Sequence, residues 1–220
     1  MDPGERARPV SMRCGRGILH LLLTEQPMTT APTKLILAFP VSASRPEPSA
    51  IAAEIESQTA TSGIVVTVVP LSVTESDEAL GAEYQTAIRE ADADFVVIGG
   101  FSLGARIAAR SAPSVNADAL VCFGYPFHKR DDPEDRHGLR ALTALTLPTL
   151  IVQGTRDVHG NRQQVRSYGQ LPACVEMHWL ADANHELRLR SAAGDAGQLR
   201  FAASAALAFI ERVRESRHRV

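Results

Sequence analysis

Phe95-Val96-Val97-Ile98-Gly99-Gly100-Phe101-Ser102-Leu103-Gly104-Ala105-Arg106 is the stretch on which the reading of the fold turns. Its first four residues are apolar and partly β-branched, and read as a short buried strand. The Ala-rich run Leu103–Ala112 reads as a helix. Between them lies Gly100-Phe101-Ser102-Leu103-Gly104, which fits G-x-S-x-G. In that strand-to-helix setting a serine can sit on a sharp, strained turn with its hydroxyl above the sheet, and the two glycines let flanking backbone come close. The Leu103 N–H, at the start of the helix, points into the same space. Ser102 is therefore read either as a nucleophile or as a simple helix cap. Neither G-x-G-x-x-G nor G-x-x-x-x-G-K-[ST] can be laid over these glycines, so a phosphate-cradling loop is set aside here.

The alternation continues on both sides. Leu35–Phe39, ended by Pro40, reads as a first strand. Ser49–Thr61 suits a helix. Ile64–Val69, stopped by Pro70, reads as a second strand and Glu75–Ala91 as a second helix. After the central stretch, Ala119–Phe123, Thr149–Gln153 and Val175–Leu180 read as further strands. Helices are expected at Gly160–Gly169 and Gln198–Val213. Continuous apolar strands alternating with helices predict an α/β fold, a mostly parallel sheet covered on both faces. In such a sheet the chemistry gathers in loops at the carboxyl ends of the strands. The longest connection, Gly124–Leu147, holds a Pro- and charge-rich loop with room for one short helix, too little for a lid domain.

Residues 1–32 read differently: four prolines, scattered Arg and no sustained period predict a disordered extension, with Met28 an alternative start. The folded domain is expected over 33–216. The whole chain of 220 residues carries a formal charge of -2. The Arg excess sits at the two ends, and residues 29–210 sum to -5. An acidic body argues against a nucleic-acid groove, whose affinity depends on neutralising phosphates. No apolar run reaches the roughly 18 residues of a membrane helix, and none of these features suggests a membrane partner. Three cysteines without C-x-x-C spacing read as reduced thiols in a cytoplasmic protein, with no dedicated metal site.

A nucleophilic serine needs a base, and the base needs an orienting carboxylate. In this type of fold the chain order is Ser, acid, His. Asp157 follows the strand ending at Gln153 and is the best-placed acid; it can also be read as a cap of the next helix. His185, in the polar loop after the last strand, is the best-placed base, or else an ordinary surface histidine. His159 reads as a helix cap. Tyr125 and His128, in the loop after Ala119–Phe123, are read either as pocket lining or as rim packing. Phe39 and Phe101 flank the same rim and are further candidates for contact with a substrate.

Four segments resemble the small alpha/beta-hydrolase-like proteins related to the testis-expressed hydrolase-like protein and to a subunit of the NSL histone acetyltransferase complex, and more distantly the dienelactone-hydrolase-like proteins. They are Gly99–Arg106, Gly124–His128, Leu147–Asp157 and Asn184–Leu187. The resemblance implies an alpha/beta-hydrolase core and a Ser102–Asp157–His185 triad acting on a small ester, thioester or related acyl substrate, with no cofactor. It leaves the oligomeric state open. One departure stands out. Where such proteins carry His-Gly after the first strand, this chain has Phe39-Pro40-Val41-Ser42. Pro40 has no N–H, so a second oxyanion donor falls to Val41 or Ser42. Losing one such donor costs about 10²–10³ in rate. A catalytically weak or inactive binding protein is thus the alternative expectation.

Overall fold

The computed structural model describes residues 32–41, 50–60, 62–189, 195–217 and 219. They belong to a unit spanning Ala31–Val220. The extension expected at 1–32 lies outside the described residues except for Pro32, and so does Ser42. Six strands form: β1 (Thr33–Val41), β2 (Ile64–Ser72), β3 (Phe95–Phe101), β4 (Ala119–Phe123), β5 (Thr149–Gly154) and β6 (Val175–Leu180). They pair in the order β2-β1-β3-β4-β5-β6, every neighbour parallel. The helices are α1 (Ala50–Thr59), α2 (Asp77–Arg89), α3 (Leu103–Ser111), α4 (His137–Leu142), α5 (Arg162–Ser167) and α6 (Asp195–Arg217).

Strand alternation sorts the core into two layers. Leu35, Leu37 and Phe39 of β1 pack with Ile51 and Ile55 of α1 and with Phe209 and Ile210 of α6. Ile36 and Ala38 face the other side, in a layer shared with Leu80 and Tyr84 of α2, Ala105 and Ala108 of α3 and, further along the sheet, Val165 of α5. β3, β4 and β5 are buried along their whole lengths, as expected for strands covered on both faces. Across 124–148 the one helix is α4, so nothing in that segment covers the sheet as a separate domain.

Two prolines expected to end strands lie inside them. Val73 N–H donates to the Val41 carbonyl at 3.1 Å. Because hydrogen-bonding groups alternate from edge to edge along a strand, Pro70 turns its nitrogen to the open side of the edge strand β2, where no ladder bond is lost. Pro40 faces β3, but that pairing has already ended at Ala38↔Gly100. β3 likewise runs on through Gly99, Gly100 and Phe101, beyond the Ile98 end expected from the sequence. The helix expected from Gly160 starts at Arg162. Asn161 is its N-cap, accepting from Gln164 N–H at 2.9 Å while the Gln164 side chain accepts from Asn161 N–H at 3.0 Å.

Two polar features join layers. Asp77, in the first turn of α2, pairs with Arg106 and, at 2.7 Å, with Arg110 of α3. The Arg106 guanidinium holds the Asp77 carboxyl below the usual carboxylate range. The Tyr84 hydroxyl accepts from Gly99 N–H at 2.8 Å and donates to the Ile36 carbonyl at 2.6 Å, which bridges β3 and β1. Burial pushes the pKa of this phenol up, so it stays protonated and able to donate. Tyr84→Phe removes these buried hydrogen bonds from the β1–β3 ladder. It is expected to destabilise the protein by about 1–3 kcal/mol, read as a lowered urea midpoint at unchanged slope. An unchanged midpoint would contradict the bridge.

Candidate active site

Ser102 is held where β3 becomes α3, at φ 53° and ψ -117°. A non-glycine residue with positive φ is strained and persists only where its surroundings fix it. Here two constraints do so. Ser102 N–H donates to the Phe123 carbonyl of β4 at 2.9 Å. Gly100 and Gly104 press against β1 so closely that a Cβ on either would collide with the Ala38 carbonyl oxygen. The Ser102 side chain makes no capping bond to α3, which removes the cap reading. Leu103 opens α3, so its N–H has no acceptor within the helix.

The three residues singled out from the sequence come together. His185 Nε2 lies 2.9 Å from Ser102 Oγ. Its Nδ1 lies 2.9 and 3.1 Å from the two Asp157 carboxylate oxygens. With a carboxylate beside it, Nδ1 carries the proton, which leaves the Nε2 lone pair for the Ser102 hydroxyl. Asp157 is wholly buried and the His185 side chain is 13% exposed. Asp157 does not cap α5; that role is Asn161's.

Two residues that the sequence reading did not place at the site complete it. Gln153 is fully buried. Its Nε2 donates to Asp157 Oδ2 at 2.8 Å and to the Tyr125 carbonyl at 3.0 Å, and its Oε1 accepts from Tyr125 N–H at 2.7 Å. The one available signal was a glutamine directly after the apolar run Leu150–Val152. The other is His159, whose N–H donates to Asp157 Oδ1 at 2.8 Å and whose ring lies 4.5 Å from that of His185. His159 Nδ1 bonds the His128 carbonyl at 3.2 Å. It does not cap a helix. Phe101 lies on His185 as well, with ring centroids 5.3 Å apart. Gly124 (φ 53°) closes the arrangement, since a Cβ there would lie 2.7 Å from the His185 carbonyl oxygen.

Five sequence expectations need correction. Phe39, Tyr125 and His128 have no exposed surface and cannot line a substrate pocket. Phe39 packs in the α1/α6 layer. The Tyr125 hydroxyl donates to the Gly138 carbonyl at 2.9 Å. His128 Nδ1 bonds the Lys129 carbonyl at 2.6 Å. Val41 cannot supply an oxyanion donor from where it stands. Its carbonyl faces β2, and in an extended residue the N–H faces the same way, away from Ser102. Phe101, 4% exposed, touches the candidate base instead of open space.

A sequence model described as an alpha/beta hydrolase domain matches residues 72–211. The chain belongs to the alpha/beta hydrolase family. Solved structures of such hydrolases share its fold. Est1E from Butyrivibrio proteoclasticus is similar over 83% of this chain and 89% of its own, at TM-score 0.62 and 9% identity. An alpha/beta serine hydrolase without a lid from Xanthomonas campestris is similar over 85% of each chain, at TM-score 0.61 and 16% identity. An esterase domain from Rhodothermus marinus is similar over 93% of this chain and 98% of its own, at TM-score 0.60 and 17% identity. No curated protein matches the sequence. Among the described residues of this hydrolase-family chain no group of three or more His, Cys, Asp or Glu is arranged to hold a metal ion, and no helix is long and apolar enough to cross a membrane.

Burial, and then the charge of His185, lower the His159 pKa from its ordinary value. As the pH falls below the ordinary histidine range, the unfolded chain therefore takes up this proton first and stability declines. Proton NMR should place the His159 midpoint below that of an unstructured histidine peptide. His185→Gln should move it part of the way back, because desolvation remains. A midpoint at the peptide value would overturn the contact.

Proposed function

We propose that the protein is a serine hydrolase of small esters, thioesters or related acyl compounds. The observation that carries this reading is the Ser102–His185–Asp157 chain of hydrogen bonds, each 2.9 Å at its shortest, set on a strained strand-to-helix turn. Ser102 Oγ attacks the acyl carbonyl as its proton passes to His185 Nε2. The tetrahedral intermediate collapses, the bond from carbon to the leaving oxygen or sulfur breaks, and His185 returns the proton to the leaving group. A water then attacks the acyl-enzyme as His185 takes its proton, the bond from the acyl carbon to Ser102 Oγ breaks, and His185 returns the proton to Oγ as the carboxylic acid leaves. Asp157 keeps the imidazole in the working tautomer, and the Leu103 N–H is one oxyanion donor. The scheme requires no cofactor. The finer kinship with the testis-expressed hydrolase-like and NSL-subunit proteins rests on the four segments quoted above.

A second reading has one observation in its favour. The β1 end lacks the usual His-Gly, and Val41 turns its N–H away, so the second donor is left to the segment beyond it. A hydrolase-fold binding protein with little turnover would fit that loss.

A fluorophosphonate probe separates the two when combined with p-nitrophenyl esters of graded chain length. The hydrolase reading expects labelling and turnover in the parent, and neither in Ser102→Ala. Asp157→Asn should lower kcat by about 10³–10⁴. Labelling without turnover of any ester would favour the binding reading, and equal labelling of parent and Ser102→Ala would overturn both roles of the serine. Gln153→Leu frees the Asp157 carboxylate from one of its anchors. It should lower kcat by about tenfold with KM unchanged, while the urea midpoint reports any purely structural loss separately.

A further inference from the structure

Most described arginines lie within ion-pair distance of a carboxylate: Arg106 and Arg110 share Asp77, Arg140 reaches Asp135, and Arg217 reaches Asp118. Arg156, Arg162 and Arg166 have no carboxylate at that distance among the described residues, yet they gather in one place. With Thr155 and Asn161 they line a cleft of about 720 Å³ between the end of β5 and α5. The chain around it is acidic, so this concentration of positive charge runs against the overall balance.

The cleft is held from two sides. Arg156 donates from Nε to the Asp182 carbonyl at 2.9 Å, which anchors the guanidinium and leaves its terminal N–H groups for another acceptor. Thr155 Oγ1 accepts from Asp182 N–H at 2.9 Å. On the other side, the Asn161–Gln164 capping box fixes the start of α5 and hence Arg162. Arg162 and Arg166 are four residues apart and share one helix face, an arrangement of like charges that is unfavourable without a counter-ion. Asp157 is buried and turned to His185, and Asp182, which meets Arg156 through its carbonyl, forms no ion pair with these arginines among the described residues. Guanidinium forks suit phosphate oxygens in geometry as well as charge.

We propose that this cleft binds phosphate groups carried by the substrate, a class of acyl donor whose leaving group is a long thiol or alcohol ending in phosphate. The inference rests on the serine-hydrolase reading for the reacting end only. β4 separates β3 from β5, so two strand spacings, about 10 Å, lie between the turn at Ser102 and the inner edge of the cleft. The carbonyl and the phosphates must therefore be joined by an extended arm. Hydrolysis of such a thioester consumes one water and releases the acid and the phosphorylated thiol.

Calorimetry with coenzyme A and with inorganic pyrophosphate tests the site independently of turnover. Both should bind Ser102→Ala, more weakly as salt is raised. Both should bind Arg162→Gln/Arg166→Gln at least about tenfold more weakly. In kinetics, the double variant should raise KM for butyryl-coenzyme A by a similar factor while hydrolysing p-nitrophenyl butyrate within about twofold of the parent. If coenzyme A fails to bind the parent, the proposal is overturned even where ester hydrolysis is robust. If both anions bind through these arginines but butyryl-coenzyme A is handled no better than the neutral ester, the cleft serves free phosphate compounds and the substrate assignment falls. If anion binding holds and no acyl substrate turns over, the site stands and the hydrolase reading fails.

Discussion

The close crossing of α3 over β1 is the constraint on which the rest depends. A helix can leave β3 this abruptly only because Gly100 and Gly104 present no Cβ to the Ala38 carbonyl. That contact, together with the bond from Ser102 N–H to Phe123, forces the serine into a backbone conformation that a side-chain-bearing residue otherwise avoids. The strain has a geometric result: the hydroxyl stands clear of the helix, uncommitted to capping, and meets the His185 ring. The Tyr84 bridge beneath it fixes β1 against β3 at Gly99, directly before the turn.

Around this turn the site is built mostly from backbone and buried polar groups. Asp157 receives one donor from each of three directions: Gln153, the His159 N–H and His185. The loop after β4 is tied to the loop after β5, since Phe127 N–H donates to the His159 carbonyl and the His159 ring returns a bond to His128. A carboxylate with its oxygens occupied in this way has little freedom to rotate. The His185 ring also touches the rings of Phe101 and His159, so packing as well as its two hydrogen bonds sets its orientation.

The fold and the three central residues were legible because independent signals coincided. Apolar runs gave the strands, with β4 and β6 matching residue for residue, and chain order tied Ser102, Asp157 and His185 to strand ends. Pro40 and Pro70 misled because a proline ends a strand only where its missing N–H faces a partner, and facing depends on register, which is tertiary information. Tyr125 and His128 looked like rim residues because they follow a strand end. The first part of their loop, Gly124–His128, instead folds inward over Gly138 while residues 129–134 stay exposed, and such inward folding leaves no periodic trace. Phe39 was recoverable: counting by two from Leu35 places it on the core side. The role of Gln153 was not, because its partners come from three separate segments that only the folded sheet brings together.

β6 carries a consequence for how the molecule comes apart. It is the edge strand, most of its residues are only half-buried, and it is the last of the strands in the chain. His185 hangs just beyond it, while Ser102 stands on a strand buried along its whole length. Detaching one margin of the sheet would therefore carry the imidazole off without disturbing the interior. Such partial openings need less free energy than global unfolding. The candidate site would thus come apart at a lower free-energy cost than the scaffold that holds it.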